Sequence, residues 1–433
     1  MKEKLDALKT LLSPLTTFFS GSMLATCAFG LLSSILSLRL NASGISTYFS
    51  GIVMALYYVG YIFAATRAHK MINKIGHIRS FGVYISVVSS LVLMHSFLAN
   101  PSFWGLLRFL EGYCVGGCTM CLESWLNTRA HNKNRGLIMS LYMVTSYLGA
   151  GLGQLMLNIP DQNGMVIYII ISILFSLAFL PISLTALPAP EINFHKSLSI
   201  ATLYKKSPVG IVGLVCSGLM VGSFYALGPI YTQKAGFSLT ETSLFMFFGI
   251  LGGLSAQIPV GRLSDKMDRR LVMMGSCALL FFIAPSIHIL MSSGIVLLAM
   301  GAFFLGTCTF VLYPICVSHI NDLIDDSERV KTSGILILMQ GIGLICGPII
   351  VSFFMDKFGD ISFVSASSII AGSFFFYTLR QIKIKPDINY TSVTPTDPIP
   401  MAPTAAFNEL STKDTMVDLI KKRVARKGLQ KGI

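Results

Sequence analysis

The sequence predicts an all-α membrane protein: twelve transmembrane helices in two pseudo-symmetric halves of six, with both termini cytoplasmic. Three observations lead there. Of 433 residues, 53% are hydrophobic and only 12% charged, with a mean hydropathy of +0.69, whereas soluble domains carry about 25% charged residues. The apolar residues arrive in blocks long enough to cross the ~30 Å hydrocarbon layer, which takes ~20 helical residues. The basic residues cluster in alternate loops between those blocks.

Six blocks run 15–38, 46–66, 80–99, 102–127, 136–158 and 164–187, and six more run 208–232, 240–260, 271–291, 295–320, 333–355 and 360–379. The organisation expected is a short N-terminal segment (1–14), a six-helix unit (15–187), a linker (188–207), a second six-helix unit (208–380) and a polar tail (381–433). The first block is too long for a signal-peptide core and lacks a small-x-small cleavage site, so it reads as the first span.

Orientation follows from the Lys/Arg asymmetry. One side holds Arg67, Lys70, Lys74 and Arg79, then Arg129, Lys133 and Arg135, the linker lysines 196, 205 and 206, then Arg262, Lys266, Arg269 and Arg270, and finally Arg329 and Lys331. The other side offers Arg39, Lys234 and Lys357. The basic side is the cytoplasmic one, which places the linker there with both termini. The net charge of +13 is therefore a report of orientation; ten of the 33 basic residues lie from Arg380 onward, and nothing forms a nucleic-acid face.

Beyond Lys383 the chain turns polar and Pro-rich, a composition that cannot bury a core and is expected to be disordered. A stretch from Thr412 to Arg426 carries Val417, Ile420 and Val424 on one helical face among lysines and arginines. It reads as a solvated tail or as an attachment to anionic lipid headgroups.

All nine cysteines fall inside apolar blocks, where disulfides are not expected. Cys114, Cys118 and Cys121 share one helix face, but beyond Glu111 nothing completes a soft-metal site beside them. They read as packing, with no metal site and no cofactor expected. No phosphate-cradling loop with Lys, no GxSxG and no HExxH appears, so neither an ATP motor nor an enzyme is expected.

The two halves echo each other. The basic loop from Lys70 to Arg79 recurs as Arg262–Arg270, with Gly76 and Asp268 192 residues apart. Near that offset Gly153-Gln154 matches Gly347-Pro348, and His95 matches His288. Parallel repeats of this kind build alternating-access carriers.

The most specific string is Gly261-Arg-Leu-Ser-Asp265-Lys-Met-Asp-Arg269-Arg270. Gly261 would let two helices approach, and Asp265 can pair with the arginines at a helix end. The string resembles the G-x-L-x-D-x-x-x-R-R loop of the major facilitator superfamily. The first-half loop keeps Gly76 and Arg79 but has His69 and Asn73 where Gly and Asp are expected, which removes the charged latch on that side. Arg108-Phe-Leu-Glu111-Gly112 resembles the superfamily's R-x-x-[Q/E]-G motif. Glu123-Ser-Trp-Leu-Asn127, Asn134-Arg135-Gly136, Tyr225-Ala-Leu-Gly-Pro229-Ile-Tyr231, Gln257-Ile-Pro259-Val-Gly261 and Leu312-Tyr313-Pro314 are together similar to the YcaD-like branch of its bacterial members. The resemblance covers residues 12–380 and implies a multi-pass protein of the bacterial inner membrane. It also implies a monomer.

Charges inside a bilayer cost ~2.5–3.5 kcal/mol each on insertion scales and persist where they face partners or water. The fourth span holds Arg108, Glu111 and Glu123. Arg108 and Glu111 are i, i+3 neighbours able to pair; Glu123 lies about 22 Å along the axis from Arg108 and ~60° around it. A carboxyl in a low-dielectric cavity can exchange a proton near neutrality, so Glu123 is the first candidate for proton coupling or for holding a cationic cargo. Arg108 and Glu111 read either as part of that charged cavity or as a structural pair.

By resemblance, spans one, four, seven and ten surround the cavity. That makes Tyr225, Tyr231, Tyr313 and His319 candidate cargo contacts, joined from other spans by Tyr57, Tyr147, Gln154 and Gln257. Each could equally be a membrane-belt Tyr, a helix-bridging Gln or, for His319, a solvated loop-adjacent His. Gly149, Gly151 and Gly153, with Gly341, Gly343 and Gly347-Pro348, read as close-packing and kink positions. The resulting expectation is a secondary active transporter, symporter or antiporter, that moves a small organic solute with protons by alternating access. An uncoupled facilitator and a non-transporting receptor or scaffold remain as alternatives.

Overall fold

The computed structural model describes residues 15–97, 100–129, 135–161, 164–184, 199–291, 294–324 and 326–384. Secondary structure among them is helical throughout, in thirteen α-helices and one 3-10 turn (Met156–Asn158). The helices are α1 (Thr16–Ala42), α2 (Thr47–Ile75), α3 (His77–Met94), α4 (Pro101–Arg129), α5 (Arg135–Leu155), α6 (Val166–Ser183), α7 (Ile200–Lys206), α8 (Pro208–Lys234), α9 (Leu239–Lys266), α10 (Arg269–Met291), α11 (Ile295–Asn321), α12 (Asp326–Phe358) and α13 (Ser362–Ile384). The expected tail helix, the basic side chains of 129–135 and 329–331, and the side chain of His288 lie outside what is described.

Ten of these helices are long and apolar enough to cross a membrane. The two other long helices are α4, which carries Arg108, Glu111 and Glu123, and α5. Helices dominate because lipid offers the backbone no hydrogen-bond partner, so each segment must satisfy its own N–H and C=O groups.

The sequence also sets where helices begin and end. Ser46 accepts from Phe49 N (3.2 Å) at the start of α2, and Gly76, at φ 85°, closes it in a conformation other residues resist. Ser238 and Glu241 form a reciprocal capping box on α9. The linker is not wholly irregular: α7 forms because Leu203 can bury itself completely. Ser207-Pro208 then breaks that helix and starts α8, with Ser207 Oγ accepting from Gly210 N at 3.3 Å.

The packing pattern repeats. Among the first six helices α1 lies on α5 and α6, α2 on α4, and α3 on α4 and α6; among the later six α8 lies on α12 and α13, α9 on α11, and α10 on α11 and α13. The two sets meet along α2/α12, α5/α9 and α1/α8. Glycines allow the closest crossings. A methyl on Gly112 would strike the Tyr57 carbonyl in α2, and one on Gly306 would strike the Gly249 carbonyl in α9. In α5, Gly149 and Gly153 face α1 while Gly151 faces Phe247 of α9; in α12, Gly343 and Gly347 face α8 while Gly341 faces Ile62 of α2. Alternate glycines thus serve packing within a set and between sets. Gly261 does neither: nothing lies within 4 Å of where its Cβ would be, which corrects the expectation that it permits a close helix approach.

Prolines inside the helices leave carbonyls without a donor, because Pro lacks an N–H. Pro229 frees the Tyr225 carbonyl, which accepts from Ser33 Oγ of α1 at 3.2 Å; Pro285 frees that of Phe281, which accepts from Ser368 Oγ of α13 at 2.9 Å.

Candidate functional site

Two adjoining chambers, of about 250 and 220 Å³, lie where the two sets of helices meet; Thr26, Phe29, Met143, Ser146, Val221, Tyr225 and Gln340 belong to the walls of both. The first chamber adds Tyr57, Tyr58 and Tyr61 of α2, Glu123 of α4 and Tyr142 of α5. The second adds Tyr147, Gln257, Phe310 and Tyr313. The walls are aromatic with a few polar groups, a lining that suits an organic solute better than a bare ion.

Glu123 is fully buried, and Tyr142 Oη donates to its Oε1 at 3.3 Å. Helix α4 carries it there, held against α2 by the close crossing at Gly112. Tyr57, Tyr147, Tyr225, Gln257 and Tyr313 line the chambers as well.

Three expected contacts lie elsewhere. Gln154 is buried between α5 and α1, accepting from Ser34 Oγ (2.6 Å) and donating to the Gly30 carbonyl (3.0 Å). Tyr231 is stacked on Phe363, with ring centroids 4.9 Å apart. His319 is neither solvated nor in the cavity; it is 1% exposed, in the electrostatic reach of Asp268, Arg269 and Arg270.

Arg108 and Glu111 sit behind the wall of the first chamber. Arg108 Nη1 donates to Glu111 Oε2 at 3.1 Å, and the guanidinium lies 4.4 Å from the ring centroid of Tyr57, whose side chain borders the chamber. Sequence reasoning missed Tyr58, Tyr61, Tyr142 and Gln340. Gln340 carried the same signal that singled out Gln154, a lone amide inside an apolar run.

The chambers lie toward the helix ends that carry the basic loops, and the opposite ends are tied together. Across the two sets Ser33 and Ser37 of α1 donate to the carbonyls of Tyr225 and Ala226 (3.2 and 2.6 Å), and Lys234 Nζ donates to Thr47 Oγ1 (2.6 Å). Thr47 N donates to Asp356 Oδ1 (3.1 Å), Asn158 Nδ2 to Ser243 Oγ (3.0 Å) and Thr240 Oγ1 to Asn158 Oδ1 (2.8 Å). A net hydrogen bond is worth about 1 kcal/mol. Ser37→Ala is therefore expected to raise the population open at this seam roughly fivefold, read as faster hydrogen exchange in residues 33–42 and 225–234. Unchanged exchange there would mean the seam is held by something else.

At the basic end, the loop between α9 and α10 is an ionic knot. Arg269 pairs with Asp265 (3.0 Å), reaches Ser264 Oγ (2.6 Å) and pairs with Asp322 at the end of α11 (2.5 Å); Arg270 pairs with Asp268 (2.6 Å). Asp265 is largely solvent-exposed whereas Asp322 is buried with Arg269, so the partner not foreseen in the sequence is the stronger one. In the first-half loop Gly76 ends α2, and Arg79 is exposed.

The chain also has recognisable relatives. YcaD of Escherichia coli (strain K12), described as an uncharacterized MFS-type transporter, is 28% identical over 386 residues, covering 87% of this chain and 97% of its own. Among solved structures, the nucleoside transporter NupG superposes with a TM-score of 0.70 at 14% identity, over 85% of this chain and 98% of that one. A bacterial homologue of the human lysosomal transporter Spinster, inward-facing and occupied, gives 0.65 at 14% identity over 84% and 96%. These relatives are transporters rather than enzymes. The Major Facilitator Superfamily profile matches residues 18–256 and 250–413, and with the fold and cavity above, the chain belongs to the major facilitator superfamily.

Proposed function

We propose that the protein is a proton-coupled secondary transporter that carries a small organic solute across the bacterial inner membrane by alternating access. The observation that carries this reading is a buried carboxylate, Glu123, in the wall of an aromatic chamber at the meeting of the two helix sets. In this reading all twelve long helices span the membrane as two six-helix units, 15–187 and 208–380, with the termini and linker cytoplasmic and the protein working as a monomer. The tail follows at 381–433. The basic loops then face the cytoplasm, the chambers lie on that side, and the seam is the closed periplasmic gate.

Glu123 exchanges a proton with the cytoplasm or with the cargo. Tyr57, Tyr147, Tyr225, Gln257 and Tyr313 supply stacking faces and hydrogen bonds to the solute. Arg269, Asp265 and Arg270, with Asp322, hold the cytoplasmic end of the second unit. Gly76, Arg79 and Gly261 lie in or beside the two loops that rearrange as the units rock.

The test is collapse of a pH gradient in proteoliposomes offered pooled metabolites, nucleosides among them, and cationic amphiphiles. Solute-dependent proton movement is expected in the unaltered protein and is expected to fall to the level of empty liposomes in Glu123→Gln, because an amide cannot exchange the proton. Solute flux without proton movement would make the protein a facilitator. Absence of flux for every pool would count against transport of these solutes.

A further inference from the structure

Behind Tyr57, outside both chambers, four helices enclose a second titratable cluster. His95, just past the end of α3, and Arg108 and Glu111 of α4 are 2%, 1% and 0% exposed. His95 Nδ1 lies 3.2 Å from the Leu91 carbonyl and 3.4 Å from Glu111 Oε1. Both neighbours are acceptors, so Nδ1 carries the imidazole proton and Nε2 is a bare lone pair. Among the described residues His95 Nε2, Glu111 Oε1 and Arg108 Nε make no hydrogen bond although all three are buried. Orphaned polar atoms gathered in one buried place are costly unless the site has a use for them.

The surroundings leave one proton-accepting nitrogen open beside a carboxylate. Arg108 and Glu111 cancel, which leaves the cluster neutral with one basic nitrogen unused. Rings face the groups that would carry charge: Tyr57 lies 4.4 Å from the guanidinium carbon, and Trp104 and Tyr168 have centroids 5.5 and 6.0 Å from that of His95. Such faces attract cations by ~0.5–2 kcal/mol each. The remaining ionisable neighbours are Tyr58 of α2 and Cys114 of α4, with Arg39 of α1 against Tyr168 (4.5 Å) and Asp161 beyond it (3.0 Å from Arg39). No other carboxylate approaches His95 among the described residues.

We propose that His95 and Glu111 form a second proton-binding site, separate from the cargo chambers and linked to them through Arg108 and Tyr57. A hydronium ion gives its proton to His95 Nε2 and leaves as water. The imidazolium then turns its Nδ1–H toward Glu111 Oε1, which shares its negative charge between two cations instead of one. Arg108 is held less tightly by Glu111 and leans on Tyr57, whose ring borders the first chamber. Protonation here therefore changes the wall that a solute meets. The site is independent of Glu123 and stands whether or not Glu123 couples transport to protons.

The chain has two tryptophans, Trp104 and Trp125, so Trp125→Phe leaves Trp104 as the reporter beside His95. A neighbouring imidazolium quenches indole emission. In full-length Trp125→Phe protein in lipid nanodiscs, without solute, emission is expected to fall in a single one-proton step below about pH 6.5, on the acid side of a free imidazole, because the site is buried and Arg108 lies beside it. Adding His95→Gln is expected to abolish the step. Adding Glu111→Gln is expected to move it to lower pH by about one to three units, because the imidazolium loses its counter-charge. Cys114→Ala, a change of similar size beside the cluster, is expected to keep the step, which guards against a packing artefact. A flat curve in the parent, or a step that survives His95→Gln, overturns the proposal; neither outcome bears on the solute-flux test.

Discussion

Arg108→Met is expected to destabilise the protein by about 3–5 kcal/mol, the cost of leaving one member of a buried ion pair without its partner. The guanidinium is 1% exposed and Glu111 fully buried. Met fills similar volume and can still lie against Tyr57, so the loss is electrostatic rather than a cavity. The double variant Arg108→Met/Glu111→Met removes both charges and is expected to recover most of the loss, as buried pairs replaced together by apolar groups often do. Thermal unfolding of the purified protein in detergent, compared across the two single variants and the double, gives the coupling directly. If Arg108→Met alone proves as stable as the double, the pair contributes nothing to the fold and its retention must be explained by function.

A second large effect comes from adding one methyl group at Gly306. Its Cβ would run into the Gly249 carbonyl where α11 crosses α9. Backbone cannot move aside as a side chain can, so the helices must separate, and Gly306→Ala is expected to cost about 3 kcal/mol. The same substitution at Gly261, with nothing within 4 Å, is expected to have the opposite sign. It gains up to about 1 kcal/mol from the helix preference of Ala over Gly. Two Gly→Ala changes in the same helix pair, one lowering and one raising the melting temperature, would separate packing from propensity. Equal responses would mean the α9/α11 crossing is looser than described.

The fold was readable because lipid permits so few alternatives: a 20-residue apolar block must be a helix, and alternate basic loops order the blocks in space. Which face of each helix looks inward was not readable. In water an amphipathic stripe marks the core, but α1, α8 and α11 are apolar all round, since lipid and protein interior look alike to them. Tyr231 and Tyr225, six residues apart on α8, were therefore equivalent in the sequence, although one stacks on Phe363 and the other borders the chambers. Glu123 stood out because a carboxylate in an apolar block demands an explanation. His95 was marked only as the repeat counterpart of His288, since its further meaning comes from Glu111 on another helix. Asp322 was hidden for the same reason: only the folded chain brings it to Arg269.

Tyr225 borders the two chambers and has its backbone oxygen on the seam. Pro229 has stripped that oxygen of its helical donor, and Ser33 stands in for it. Were the halves to part, as the proposed cycle requires, a water molecule could take the place of the serine at nearly the same enthalpy, so the oxygen would be served in both states. If the seam is the periplasmic gate proposed above, contacts this interchangeable would make it shallow in energy. In that reading a solute that shifts the Tyr225 ring would tug on the same residue's carbonyl, so occupancy of the chamber and the lifetime of the closed gate would be set at one position in the chain.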